Sequence, residues 1–223
     1  MPEMIDLEGQ PLNALAPRER ILKTASDLFY RFSIHTVGVD RIIAESGVAK
    51  MTFYKHFPSK ANMVATYLRH QDAAWFQMLA ASTEKPGLSP LERVLAIFDA
   101  LGEAFRSPSF RGCPFVRGLA EFGPDVDSPD VQATIAAHFK SLREFVASLV
   151  EPLALSKPEQ AVLQILSLIQ GALVIAQSTR DPAIAQASRD AARLLLEAAS
   201  VSSFEPGGPS GGGRTTQRPT QAA

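Results

Sequence analysis

Proline sets the plan of this chain. Ser89-Pro90, Ser128-Pro129 and Asp181-Pro182 each stand before a stretch in which apolar residues recur every three or four positions, and Pro17 and Pro158 open two more. Proline lacks an N–H and has φ fixed near the helical value, so it is at home in the first turn of a helix and disruptive further in. A Ser or Asp just ahead of it offers a side-chain acceptor to the unpaired N–H groups of that turn. Ser89 and Ser156 also have a glutamate three residues on, Glu92 and Glu159, the spacing of a capping box. No segment alternates with period two between hairpin turns. The pattern predicts an all-α fold.

The N-terminal part is divided more finely. Pro17 opens a helix with the stripe Ile21, Ala25, Leu28, Phe29 and Phe32. A second, short helix is expected over 39–46 and is stopped by Gly47, which supplies the left-handed backbone a tight turn needs. A third covers 50–56 and is stopped by Pro58. Ser59 then caps a long fourth helix reaching about Thr83. Further on, a short helix follows Cys113-Pro114, and the last two are expected to end near Thr179 and Ser200.

Composition narrows the class. The chain has 223 residues, 46% hydrophobic and 20% charged, which is ordinary for a globular protein. No uninterrupted apolar run approaches the roughly 18 residues of a membrane span. The first residues have no basic-then-apolar signal pattern. One cysteine, Cys113, cannot form an internal disulfide, so a cytoplasmic setting and no membrane are expected. Residues 17–60 hold eight Lys/Arg against four Asp/Glu, an excess of four positive charges on a chain of net charge −1. A local basic surface suits an anionic partner.

Four segments are expected: a flexible lead-in over 1–16, a helix-turn-helix domain over 17–60, a helical effector-binding and dimerisation domain over 61–205, and a disordered Gly/Pro/Ser-rich tail over 206–223. Within 39–57 the two short helices are joined by Gly47-Val48-Ala49, too short a turn for an antiparallel pair. The second is then free to enter a major groove. Val39, Ile42, Ile43, Val48, Phe53 and Phe57 can pack the pair on the first helix. Lys50, Met51, Thr52, Tyr54, Lys55 and His56 are left for the outer face and its edges. Most of these donate hydrogen bonds, and phosphate oxygens only accept them. From these residues alone, DNA binding and a merely solvated helix pair are both compatible.

The run Gly47-Val48-Ala49-Lys50-x-Thr52-Phe53-Tyr54-x-His56-Phe57-x-x-Lys60, after a first helix closing on Leu28-Phe29 and before Met63-Val64-Ala65, resembles the DNA-binding domain of the tetracycline-repressor family. The resemblance covers about residues 17–70. It implies that Lys50–His56 lie in the major groove and that Lys50, Tyr54, His56 and Lys60 contact DNA. The candidate DNA-binding set is Arg41, Lys50, Met51, Thr52, Tyr54, Lys55, His56 and Lys60. The chain departs from the family at Gly38, where many members have a capping Ser or Thr, and at Met51, which replaces a small residue and can meet a thymine methyl. His35 is assigned no role.

Farther along, the resemblance is weaker, in Arg111-Gly112-Cys113-Pro114-Phe115 and Glu121-Phe122. The helix from Ala161 to Gln177 is apolar nearly all round, so more than one side must be covered. With the alanine-rich last helix it suits either a four-helix interface between two copies or burial within one. The homodimer is the preferred reading, with Leu166, Ile169, Leu173, Ile184, Ala187, Ala191 and Leu195 as interface residues. Candidate lining for an apolar or aromatic small-molecule effector is Trp75, Phe98, Phe105, Phe115, Phe122 and Phe139, with His138, Gln170 and Gln177 as polar anchors.

The chain is thus read as a ligand-responsive homodimeric repressor of double-stranded operator DNA, with the fourth helix as the lever between its domains. No cofactor and no metal are expected. No Ser/His/Asp or Cys/His set suggests catalysis, so an enzyme is disfavoured. A helical enzyme, or an interaction module that has lost DNA binding, are the alternatives.

Overall fold

The computed structural model describes residues 14–123 and 128–201. The expected lead-in falls mostly outside the described residues, and the expected tail falls outside them entirely. The elements run α1 (Pro17–Phe32), α2 (Val39–Ser46), α3 (Lys50–His56), α4 (Lys60–Thr83), α5 (Pro90–Arg106), α6 (Pro114–Glu121), α7 (Pro129–Val150), α8 (Pro158–Thr179) and α9 (Ala183–Val201), with a 3-10 turn at Glu151–Leu153. Among the described residues there is no strand.

Local chemistry sets most of these boundaries. Ser59 accepts from the Asn62 N–H at 3.0 Å and caps α4. Ser89 and Glu92 close a reciprocal capping box on α5. Gly47 ends α2 at φ 64°. Asp181 accepts from the Ala183 N–H at 2.9 Å at the start of α9. The box predicted at Ser156 and Glu159 does not form. The residue before α8 is Lys157, without a side-chain cap, and Glu159 pairs with Arg143 of α7 instead. A charged partner on a neighbouring helix outcompetes one backbone N–H for the carboxylate.

Helices α1, α2 and α3 pack together at one end of α4, and α4 continues into a bundle with α5 and α7. The other main contacts are α5 with α9, α7 with α8, and α8 with α9. Over 18 residues α8 reaches a mean hydropathy of 1.7, enough by length and composition to cross a membrane, although glutamines and serines interrupt its apolar run. Ala161, Val162, Ile165, Ile169, Ala172, Leu173 and Ala176 of α8 are buried in the bundle.

Candidate nucleic-acid interface

Two phenylalanines hold the recognition unit. Phe53 and Phe57 have no exposed surface, and their rings lie 6.0 Å apart beneath α3. Ile21, Ala25, Leu28 and Phe29 of α1, Ile34 and Val37 of the following turn, and Ile42 of α2 join the same core. Each buried ring is worth about 1.5–3 kcal/mol of transfer free energy, so the short α3 is held by packing rather than by its own propensity.

The outer side of α3 follows from that burial. With Phe53 inward, Met51, Tyr54 and Lys55 stand outward at helical spacing. Met51 is 83% exposed and Tyr54 42%, with Tyr54 packed edge-on against Phe53 at 5.3 Å. The exposed Met51 side chain offers an apolar contact at the outer face of α3. Lys50 is exposed and pairs with Asp40 of α2 at 3.5 Å. Thr52 and His56 are half-buried at the edges.

The two flanking cations are engaged. Arg41 of α2 bonds Glu45 at 2.7 Å and lies over the Phe32 ring at 4.3 Å, and Arg31 lies over the same ring at 4.9 Å. Lys60 donates to the His35 carbonyl at 3.4 Å. Burial lowers the Lys60 pKa, and the nearby Glu121 carboxylate pulls it back up.

The residues named for an effector site do not collect in one cavity. Trp75 and Phe115 line a mainly apolar pocket of about 180 Å³ between α4 and the start of α6, with Met78, Cys113 and Pro114. His138 is buried directly behind it. Its ring stacks on Phe115 at 3.5 Å, and its Nδ1 meets Asp72 of α4 at 2.7 Å. Phe139 is half-buried against His138 at 5.3 Å. Phe98 borders a separate, more polar cleft of about 470 Å³ between α5 and α9, with Asp99, Arg106, Asp181 and Arg189. Phe105 packs on Phe110. Phe122 stacks on His35, away from both openings. Gln170 has a buried side-chain oxygen without a partner, whereas Gln177 is exposed beside Gly112. Burial pushes the Cys113 thiol up, away from the reactive thiolate.

The proposed interface residues also separate. Ile169 and Leu173 are buried within the chain, so they are core rather than surface. Leu166, Ile184 and Leu195 are half-buried, and Ala187 and Ala191 are exposed. Leu163, Val174 and Ile175 of α8 and Leu194 of α9, absent from the predicted interface set, are exposed large apolar side chains.

Sequence reasoning missed one group altogether. Tyr30, Ser33 and His35, in and just after α1, bond to Arg111, Gly112, Arg117 and Glu121 in and just before α6. These partners are more than 80 positions apart, and no local pattern links them.

A small helical head with a rigid, outward-facing recognition helix, carried on a larger helical body, defines a helix-turn-helix regulator of transcription. Residues 21–67 match the family model for bacterial regulatory proteins of the tetR family, and residues 90–192 match the tetracycline-repressor-like C-terminal domain. The chain belongs to the tetracycline-repressor (TetR) family of DNA-binding transcriptional regulators. It is 26% identical over 167 residues to the HTH-type transcriptional regulator YxaF of Bacillus subtilis, covering 74% of this chain and 86% of that one. A TetR-family transcriptional regulator from Streptomyces coelicolor superposes with TM-score 0.75 at 28% identity, over 82% of this chain and 96% of that one. Reduced NemR of Escherichia coli shares the fold, with TM-score 0.69 at 20% identity over 79% of this chain and 94% of that one.

Proposed function

We propose that this protein is a homodimeric, cytoplasmic, non-enzymatic repressor that reads a near-palindromic operator and is released by a small apolar or aromatic effector. The observation that carries the reading is the outward face of α3, where Met51 and Tyr54 are exposed over a fully buried Phe53 and Phe57. Met51 meets a thymine methyl, and Tyr54, Thr52 and His56 donate to phosphate or base edges. Lys50 and Lys55, with Arg41 and Lys60 at the flanks, supply the salt-dependent attraction. The head extends over 17–60 and the effector and dimer body from 61 onward.

One seven-residue helix reads only a few base pairs, so a second copy is needed for a usable site. Leu163, Val174, Ile175 and Leu194 on α8 and α9 leave apolar surface for that copy, with Ala187 and Ala191 letting the helices approach closely. The pocket between Trp75 and Phe115 is the effector site this reading favours. Its roughly single-ring volume and apolar lining fit a small neutral aromatic.

The test is an operator found by selection from random duplexes, followed by mobility-shift titration. Tyr54→Ala combined with Lys50→Ala is expected to weaken binding on the order of a hundredfold while the dimer persists. Unchanged affinity would remove α3 as the reading element.

A further inference from the structure

Besides the continuous α4, a second connection runs between head and body: Tyr30 bonds the Arg111 N–H and the Gly112 carbonyl just before α6, and Arg117 and Glu121 of α6 bond α1 and the turn after it. Midway along α6, Arg117 donates to the carbonyls of Tyr30 at 2.8 Å and Phe29 at 3.4 Å. Both are last-turn carbonyls of α1, at the negative end of the helix dipole, and the Phe29 carbonyl also accepts from the Ser33 N–H at 3.2 Å. At the C-terminal end of α6, the Glu121 carboxylate accepts from the Ser33 hydroxyl at 3.1 Å, the His35 N–H at 2.8 Å and the Ile34 N–H at 3.5 Å. The Glu121 carbonyl accepts from His35 Nε2 at 2.7 Å, so the ring proton sits on that nitrogen. One helical residue thereby grips three consecutive residues of the turn between α1 and α2.

That turn is not at rest. Ser33 has φ 88° and ψ 147°, a backbone region almost confined to glycine. A serine stays there only when its surroundings hold it: its hydroxyl and the next two N–H groups bond Glu121, its N–H bonds the Phe29 carbonyl, and its carbonyl accepts from the Thr36 hydroxyl. Lys60, at the first residue of α4, adds a third strut to the same turn through the His35 carbonyl. The turn is therefore fixed by charge-assisted hydrogen bonds on both flanks, against its own preference.

We propose that Glu121 and Arg117 are positioning residues for operator recognition: they set the angle at which the reading head projects from the body, without touching DNA. The proposal rests on the two-copy reading of the operator given above. In such a pair, the second recognition helix reaches its half-site only if both heads project at the correct angle. A slack turn forfeits that geometric match while leaving each α3 intact. A purely structural role would lower stability and leave the spacing preference alone.

The experiment uses the full chain, wild type and with Glu121→Gln or Arg117→Met, on a duplex series. In that series the selected half-sites are moved apart or together by one to four base pairs. Wild type is expected to prefer its optimum spacing by on the order of tenfold or more. The variants are expected to flatten that preference to within about threefold, with non-specific DNA affinity and dimerisation unchanged. Ser33→Gly, which relieves the backbone strain, is expected to restore part of the preference in the Glu121→Gln background. Should one variant fail to fold, the other reads a separate set of contacts in the same connection. A sharp profile in both variants would overturn the proposal alone. A profile already flat in the wild type would overturn the two-copy reading and this proposal with it.

Discussion

Lys55 offers the cleanest measure of how α3 meets DNA. Arg41 is tied to Glu45 at 2.7 Å and Lys50 to Asp40 at 3.5 Å, whereas Lys55 forms no ion pair among the described residues and stands exposed beside Tyr54. In a dimer Lys55→Ala removes two cations. Each protein cation at a phosphate releases about 0.9 of a counterion, so the slope of log affinity against log salt should become shallower by about 1.8. Doubling the salt from about 100 to 200 mM would then cost the variant roughly 3.5-fold less affinity than wild type. Tyr54→Phe is the control. It removes a neutral hydroxyl donor, so it should shift the line down by roughly tenfold per subunit with no change of slope. Fluorescence anisotropy with a labelled operator at five salt concentrations gives both quantities. An unchanged slope for Lys55→Ala, or a changed one for Tyr54→Phe, would refute this placement of α3 against the phosphates.

Two further perturbations probe the body. Burial lowers His138 below its ordinary value of 6.5, with the Asp72 carboxylate pulling it back, so the unfolded chain binds the proton first. Stability is then full above about pH 6.5 and falls as the pH drops below it. Asp72→Asn should cost about 1–2 kcal/mol at pH 7.5, or about 2–8 °C in Tm, and carry the acid loss further. Thermal melts between pH 5 and 7.5 test this, and parallel curves for the two proteins would show that Asp72 does not act on His138. For the dimer, Leu194→Asp puts a charge where the isolated chain is 69% exposed, so the monomer fold should survive while self-association is lost. Sedimentation velocity reads this, and an unaltered dimer would move the interface elsewhere.

What could be read in advance was local. Pro17, Ser59, Ser89 and Gly47 act within four residues of themselves, and the helix ends they announce are where the structure has them. The outward side of α3 followed from one buried phenylalanine and the helical period. What could not be read was which side chain meets which across the fold. Glu159 had an equally plausible local partner and took Arg143 instead. Nothing local distinguishes Phe122 from a pocket aromatic, and its ring stacks on His35. Ile169 and Leu173 carry the same apolar signal as Val174 and Ile175, and only the arrangement of helices around α8 divides core from surface.

The same distinction bears on how a ligand could act under the proposed reading. The pocket has α4 on one wall, through Trp75 and Met78, and on the other Cys113, Pro114 and Phe115, which lead into α6. Gly118, one turn further along α6, lies so close to α7 that an added Cβ would stand 2.9 Å from Ile135 Cδ1. There is little room for α6 to slide toward α7 without repacking. A ligand that parts Trp75 from Phe115 therefore strains both connections to the head at once: the continuous one through α4, and the hydrogen-bonded one through Arg117 and Glu121. Only the second can break without bending a helix. By linkage, operator DNA that holds the head in one orientation must weaken any ligand that favours another, by the same factor. Cutting the Glu121 bonds should then reduce ligand release and operator discrimination together, because both would draw on one set of contacts around Ser33 and His35.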